Sequence, residues 1–335
     1  MATIVYTMCE MAVREAGEGH QQVKEDLCRL TCSEHLPDAR TVCGSLLHTA
    51  YMSTENSSTS TKNLAESLAK SIGAYHITFP IDAVVQAALK VFTFISGGRL
   101  PRYQCQGGTV VEDLALQNLQ ARLRMVMAYL CAQLLPWTRN RSSFLLVLGS
   151  ANVDESLRGY MTKYDCSSAD LNPIGGICKA DLKKMLIWAA NTYSIPSILD
   201  IAASKPTAEL RPLPDGGEGM YSQLDEEDMG MTYEELSVYG KLRKIYRCGP
   251  VTMFINLLEM WTHLTPSTIA SKVKLFFRYY SINRHKMTTL TPSYHAENYS
   301  PDDNRFDLRQ FLYNILWPRQ FRDIDRIAAE RESSR

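Results

Sequence analysis

Residues Phe144 to Asp170 read FLLVLGSANVDESLRGYMTKYDCSSAD. Phe144, Leu145, Leu146, Val147 and Leu148 form a short unbroken apolar run, the pattern of a strand buried on both faces of a parallel sheet covered by helices. Gly149 and Ser150 end the run where the carboxyl end of that strand would lie, the place where open α/β sheets bind their ligands. Polar groups then crowd together: Asn152, Asp154, Glu155, Arg158, Thr162, Lys163, Tyr164, Asp165 and Asp170. Two basic and four acidic side chains are more than a turn requires, although a solvated loop can also carry them.

Upstream of this stretch, Glu112 to Leu135 has Leu116, Leu119, Leu123, Val126, Leu130 and Leu134 at steps of three and four, which predicts one apolar stripe on a helix. Asn118 and Arg122, four apart, share another face of it. Ile81 to Ile95 reads as a helix stopped by Ser96-Gly97-Gly98. Leu46 to Met52 and His76 to Phe79 read as strands, with a helix from Lys62 to Ile72 ending at Gly73 between them. Ser53 to Ser58 is a Ser/Thr/Asn-rich loop that also suits a helix cap. Met1 to Glu15 predicts a helix with Ile4, Met8, Met11 and Ala12 on its apolar side, and Gly17 to Pro37 a polar insertion. Downstream, a helix is expected from Ala180 to Thr192 and a last strand from Ser197 to Ile201. Pro212 to Gly230 is acidic and Gly-rich, the composition of a solvated loop. Helices follow over Tyr233 to Tyr246 and Pro266 to Ile282, and Glu297 onward is polar and tail-like, with Phe311, Tyr313, Ile315, Leu316 and Trp317 available for docking. Alternating short strands and amphipathic helices give an α/β layer fold with a parallel sheet.

The chain has 335 residues and is 45% hydrophobic, enough to bury a sizeable core. Lysine plus arginine and aspartate plus glutamate both number 36, so the formal charge is zero. That balance argues against a nucleic-acid binder or a membrane-surface binder, which want a basic excess. No apolar segment approaches the ~18 residues of a membrane span. Nine cysteines at irregular spacing, with no C-x-x-C pair, point to reduced thiols in a cytoplasmic protein rather than to a disulfide framework or a zinc site.

The segment LGSANVDE followed by RGYMTKYDCSSADLNPIGGICK resembles the signature region of the NAD synthetases, LGTxxxxE…GxxTKYGDxxxDxxPxxxxxK. Lys205-Pro206-Thr207-Ala208-Glu209-Leu210 is similar to the family's PTA(D/E)L segment, and Asn118 to Met125 resembles its N-x-x-A-R-x-R-M helix. The insertions and long C-terminal tail are most similar to the synthetase part of the eukaryotic glutamine-dependent branch. The resemblance implies a Rossmann-like sheet of the adenine nucleotide alpha-hydrolase (ATP pyrophosphatase) type, with helices on both faces. It places a synthetase domain over residues 1–290 and a C-terminal extension over 291–335.

It also implies a reaction: ATP adenylates the nicotinate carboxylate of deamido-NAD, and ammonia derived from glutamine displaces AMP to give NAD. The cofactors implied are ATP as co-substrate and Mg²⁺. By position, Glu155 matches a Mg²⁺ ligand; Ser150, Lys179 and Thr207 match ATP contacts; Arg122, Lys163, Asp170, His285 and Lys286 match groups that hold deamido-NAD. Read singly, Glu155 equally suits a first-turn helix residue, and each lysine or arginine a solvated surface group. Cys166-Ser167-Ser168 replaces the bacterial Gly-Asp-Gly-Gly. The family's Ser-Gly-Gly-x-Asp-Ser phosphate loop has no counterpart here, since Arg99-Leu100-Pro101 follows Ser96-Gly97-Gly98. The expectation is therefore an incomplete synthetase domain, without the first strand, the phosphate loop and the glutaminase domain, and inactive alone. The implied assembly is a homodimer of synthetase domains within a larger homo-oligomer. The alternatives are a non-catalytic regulatory or assembly fragment, and another amide ligase of the ATP pyrophosphatase type.

Overall fold

Short polar side chains set many of the helix starts. Asp38, Ser58, Asn152, Thr232 and Thr265 stand in extended backbone, and each accepts a hydrogen bond from a backbone N–H that the following helix leaves unpaired. The computed structural model describes residues 1–212, 223–293 and 314–333. In chain order its elements are α1 (Ala2–Gly17), α2 (Gln21–Thr31), α3 (Ala39–Leu46), β1 (His48–Ser53), α4 (Thr59–Ile72), β2 (Tyr75–Pro80), α5 (Asp82–Ile95), α6 (Val110–Thr138), α7 (Val153–Arg158), α8 (Lys179–Tyr193), α9 (Pro196–Ala203), α10 (Asp225–Met229), α11 (Tyr233–Gly240), α12 (Pro250–Met260), α13 (Pro266–Ile282) and α14 (Pro318–Ser333). The chain divides into two units, Met1–Leu134 with Leu182–Leu224, and Leu135–Asp181 with Asp225–Arg335.

In the first unit β1 and β2 pair in parallel, from His48 opposite Tyr75 to Ser53 opposite Pro80. α4 is the crossover that parallel pairing requires, and it ends at Gly73 with φ 74°. A Cβ at Gly73 would lie 2.8 Å from the Arg40 carbonyl oxygen, so both backbone angle and space demand glycine. The core joins Tyr6, Cys9, Leu27, Val42, Cys43, Ile72, Ala189 and Ile198. The second unit is helical. Its core joins Leu236, Tyr239, Met253, Phe254, Leu257, Val273, Phe276, Phe277, Tyr280 and Ile324. Phe276 is fully buried and stacks on Tyr239 with ring centroids 4.6 Å apart. The observed class is α/β, predominantly helical, with a small parallel sheet.

Several expectations need correcting. Phe144 to Leu148 is not a strand; only Leu148 forms an isolated parallel bridge, with Leu171, while Phe144 and Leu146 are 71% and 63% exposed. A run meant for the middle of a sheet has no ladder to join unless strands lie on both sides of it, and the described sheet has two strands only. Ser197 to Ile201 is helical within α9, because Pro196 sits at the first helical position, where its missing N–H costs nothing, and Ile198 and Ala202 four residues apart bury one face. The polar Gly17 to Pro37 stretch contains α2, tied to the core by Leu27. α1 buries Thr3, Tyr6, Cys9 and Ala16, leaving Met8 and Met11 exposed, because α2 and α3 pack against the face that carries Tyr6 and Cys9. On α6 the expected stripe is buried at Leu116 but exposed at Val126, Leu130 and Leu134; Gln117, Gln120 and Met125 turn inward instead. The expected helix Tyr233 to Tyr246 is observed, α-helical to Gly240 and widened to a π-helix over Lys241–Ile245. Most of the acidic loop (213–222) and the proposed docking residues Phe311 and Tyr313 lie outside the described residues. Ile315 and Leu316 are exposed, but Trp317 packs on Phe277 and leads into α14. All nine cysteines are free thiols. Among the described residues no helix is long and apolar enough to cross a membrane, and no three His, Cys, Asp or Glu side chains are grouped as metal ligands.

Phe276→Ala should cost about 3–5 kcal/mol by urea denaturation, through lost burial and the cavity left behind. Phe94→Ala, at a side chain 87% exposed, should stay within about 0.5 kcal/mol for the isolated chain.

Candidate active site

α7 is six residues long and held at both ends. At its start Asn152 Oδ1 accepts from the backbone N–H groups of Asp154 and Glu155, both at 3.0 Å. Glu155 reciprocates, accepting from Asn152 N at 3.2 Å and Nδ2 at 2.6 Å, a capping box. The Glu155 carboxylate is thus fixed before any ligand arrives. It also accepts from the Tyr233 hydroxyl at 3.2 Å and lies 3.7 Å from Lys179 Nζ. Tyr233, opening α11 behind its own capping box on Thr232 and Glu235, places the same hydroxyl 2.9 Å from Asp225.

A phenolic hydroxyl has one proton to donate, so it cannot satisfy both carboxylates at once. Burial pushes Glu155 up to about 7 and Asp225 above the usual carboxylate range, against the pull of Lys179 on both. Two carboxylates with one shared proton donor fit a hard divalent cation, which prefers oxygen ligands. If Mg²⁺ binds here, Glu155 and Asp225 are the residues that would hold it. Lys179 opens α8, and its backbone N–H donates to buried Asp154 at 2.9 Å.

The other end of α7 is closed by Asn283, Arg284 and Lys286. Gly159, at φ 75°, ends the helix, and a Cβ there would lie 2.3 Å from that of Asn283. Asn283 Nδ2 donates to the Arg158 carbonyl at 3.2 Å, and the buried Arg284 donates to the carbonyls of Ser156 and Leu157. Lys286 Nζ donates to the carbonyls of Gly159 and Met161, at 2.8 and 2.7 Å, so this expected substrate contact also holds the loop. His285 is exposed, and its pKa is lowered by desolvation first and then by Lys286 and Lys163. Lys163, His285 and Lys286 therefore form one basic group. Asp170 accepts from the Val147 backbone N–H at 2.8 Å, beside the Leu148–Leu171 bridge. Ser150 is exposed, with its hydroxyl 3.7 Å from Cys166 Sγ.

Arg122 and Thr207 belong to the first unit. Arg122 is exposed on α6. Thr207 donates its hydroxyl to the Gln223 carbonyl at 2.7 Å and forms an antiparallel bridge with Leu224. The segment after it is gripped further, since Gln223 Oε1 accepts from Leu210 N at 3.2 Å and Arg211 pairs with buried Asp113 at 3.0 Å.

A family model described as NAD synthase matches residues 35–248. The chain belongs to the NAD synthase family. Curated relatives called glutamine-dependent NAD(+) synthetase, from Oryza sativa subsp. indica, Arabidopsis thaliana and Homo sapiens, are 55%, 56% and 53% identical over 98%, 98% and 97% of this chain. The chain spans 45%, 45% and 46% of those relatives, slightly under half their length. A crystal structure of a glutamine-dependent NAD(+) synthetase from Cytophaga hutchinsonii shares the fold, with a TM-score of 0.70 at 23% identity, covering 97% of this chain and 50% of that one.

For this NAD synthase family member, sequence reading missed Asp225, Tyr233 and the Asn283–Arg284 clamp. The helix start expected at Tyr233 is observed, behind the Thr232-x-x-Glu235 box, but nothing local marks its hydroxyl as a partner of Glu155. Nothing local marks Asp225, which lies 70 residues beyond Glu155 along the chain.

Because the folded-state pKa of Glu155 exceeds its unfolded value of 4.5, the native protein holds this proton to higher pH than the unfolded chain does. Its contribution to stability is favourable at low pH and is lost between about 4.5 and 7 as pH rises. In magnesium-free buffer with EDTA, urea denaturation should show a decline of at most about 3 kcal/mol over that window. Glu155→Gln should flatten it, and an unchanged slope in that variant would assign the titration to another group.

Proposed function

We propose that this chain is the synthetase part of a cytoplasmic glutamine-dependent NAD(+) synthetase, forming the amide of NAD from deamido-NAD, ATP and ammonia. The observation that carries the reading is the fixed Glu155–Lys179 pair, set inside the family's signature in a chain 53–56% identical to such synthetases. A carboxylate resists ammonia because its charge repels the nucleophile and oxide cannot leave. In the proposed reaction the nicotinate carboxylate oxygen attacks the α-phosphorus of ATP and pyrophosphate departs. Ammonia then attacks the acyl carbon, and AMP departs with the C–O bond electrons. The protein's work is to offset charge, align two substrates and keep water from the mixed anhydride.

Lys179, Ser150 and Thr207 serve ATP in this reading, Lys179 as a compact charge beside the phosphates. Arg122 and the basic group of Lys163, His285 and Lys286 face the dinucleotide, and Asp170 its polar groups. Mg²⁺ held by Glu155 would offset the triphosphate charge. We also propose the complete adenine nucleotide alpha-hydrolase sheet, in which a further strand carries the Ser-Gly-Gly-x-Asp-Ser loop. The two-stranded sheet and the unladdered Phe144–Leu148 run support it. The Ser-Gly-Gly of this sequence sits past the end of α5, with Gly97 and Gly98 at φ 69° and 94° and exposed. A homodimer is supported by the apolar faces that α5 and α6 leave exposed, notably Phe94, Ile95, Val111 and Val126.

The deciding assay follows NAD from deamido-NAD, ATP, Mg²⁺ and ammonia. The 335 residues alone should give none, and a chain extended upstream by a strand bearing the phosphate loop should give turnover. NAD formed by the 335 residues overturns the need for that loop; an extended chain without turnover overturns the function. In the active form Lys163→Ala should raise the KM for deamido-NAD by roughly 10- to 150-fold, the loss of one charge-assisted contact worth about 1.5–3 kcal/mol. Light scattering should report a dimer, and Phe94→Asp together with Val111→Asp should give a folded monomer.

A further inference from the structure

The loop that follows β1 is held by a carboxylate to which no role has been given. Glu209 is 9% exposed and stands at φ 48°, a left-handed conformation that a residue with a side chain seldom adopts without cause. Its cause is visible. One carboxylate oxygen accepts from the Ser58 hydroxyl at 2.6 Å; the other accepts from the Ser58 backbone N–H at 3.2 Å and the Thr61 hydroxyl at 2.9 Å. Ser58 is the N-cap of α4, so Glu209 supplies negative charge where that helix presents unpaired N–H groups.

A second grip works from the opposite side of the same loop. Gln120 Oε1 accepts from the Thr54 hydroxyl at 3.1 Å and Asn56 Nδ2 at 3.3 Å, while its Nε2 donates to the Leu210 carbonyl at 3.0 Å. The Thr54–Ser58 loop and the Thr207–Leu210 segment are thereby tied together through buried side chains, all within the first unit. We propose that Glu209 is a positioning residue, which locks the Thr54–Ser58 loop against the Thr207 segment and so preforms the surface on which Thr207 meets the nucleotide. This rests on the reading that Thr207 serves ATP. The preformed loop would save the ordering cost of binding, and the effect should fall on nucleotide affinity.

The test uses the 335-residue chain with AMP as probe, comparing wild type, Glu209→Ala and Glu209→Gln by calorimetry and by amide hydrogen exchange. Glu209→Ala should speed exchange at Ser58 to Thr61 at least tenfold and weaken AMP about tenfold, with exchange in the core helices of the second unit unchanged. Glu209→Gln keeps a carbonyl oxygen for the Ser58 N–H and an amide that the Ser58 hydroxyl can turn to accept. It should recover affinity to within about threefold of wild type. Unchanged exchange in Glu209→Ala overturns the lock, and faster exchange with unaltered AMP affinity overturns the positioning role. Wild-type protein that fails to bind AMP overturns the nucleotide reading instead, and the exchange comparison then still decides whether Glu209 holds the loop.

Discussion

A guanidinium taken out of water must have its charge answered, or the fold pays heavily. Arg284 is 2% exposed, and its answer comes from backbone rather than from a carboxylate: the carbonyls of Ser156 and Leu157 at the end of α7, and of Tyr280 at the end of α13. These are the negative ends of two helices, and the Tyr280 ring lies 4.0 Å from the guanidinium carbon. Burial lowers its pKa to about 10, so it stays protonated at neutral pH. The rest of the second unit's site depends on this arrangement. A six-residue helix has little stability of its own, yet α7 must present Glu155 from one end and pass into the Lys163 loop at the other. The capping box fixes the first end, and Arg284 with Asn283 and Lys286 fixes the second.

The two carboxylates at Tyr233 follow from the same economy of partners. Burial raises both pKa values while Lys179 opposes; Asp225 adds to the rise at Glu155, and Asp228 and Glu226 add to that at Asp225. The first unit solves a different problem, bringing a strand-end loop and a distant segment together, and does so with amides and hydroxyls around Glu209 and with the Arg211–Asp113 pair. Gln117, Gln120, Asn56 and Gln223 are buried and joined by hydrogen bonds, as polar groups in a core must be.

Local pattern by itself determined much of this protein. The stop at Gly73 and the span Pro266–Ile282 follow from capping chemistry and periodicity that neighbours reinforce, whereas the helix expected from Lys62 begins earlier, at Thr59 behind the Ser58 cap. The signature around Glu155 and Lys179 also named, in sequence, two side chains that the fold places 3.7 Å apart. Tertiary structure alone decided the rest. Whether Phe144 to Leu148 becomes a strand depends on partners elsewhere in the sheet, and its own apolar side chains cannot supply a ladder. Which face of α6 is buried depends on what packs there, so Gln117 and Gln120 turned inward where Val126 and Leu130 had the better hydrophobic claim. Asp225 and Tyr233 join Glu155, and Glu209 joins Ser58, across long stretches of chain. Helix caps and turns draw on neighbours a few residues away and are therefore written locally, whereas strand pairing, burial and the sharing of one proton between two carboxylates are set by groups that only the folded chain brings within reach.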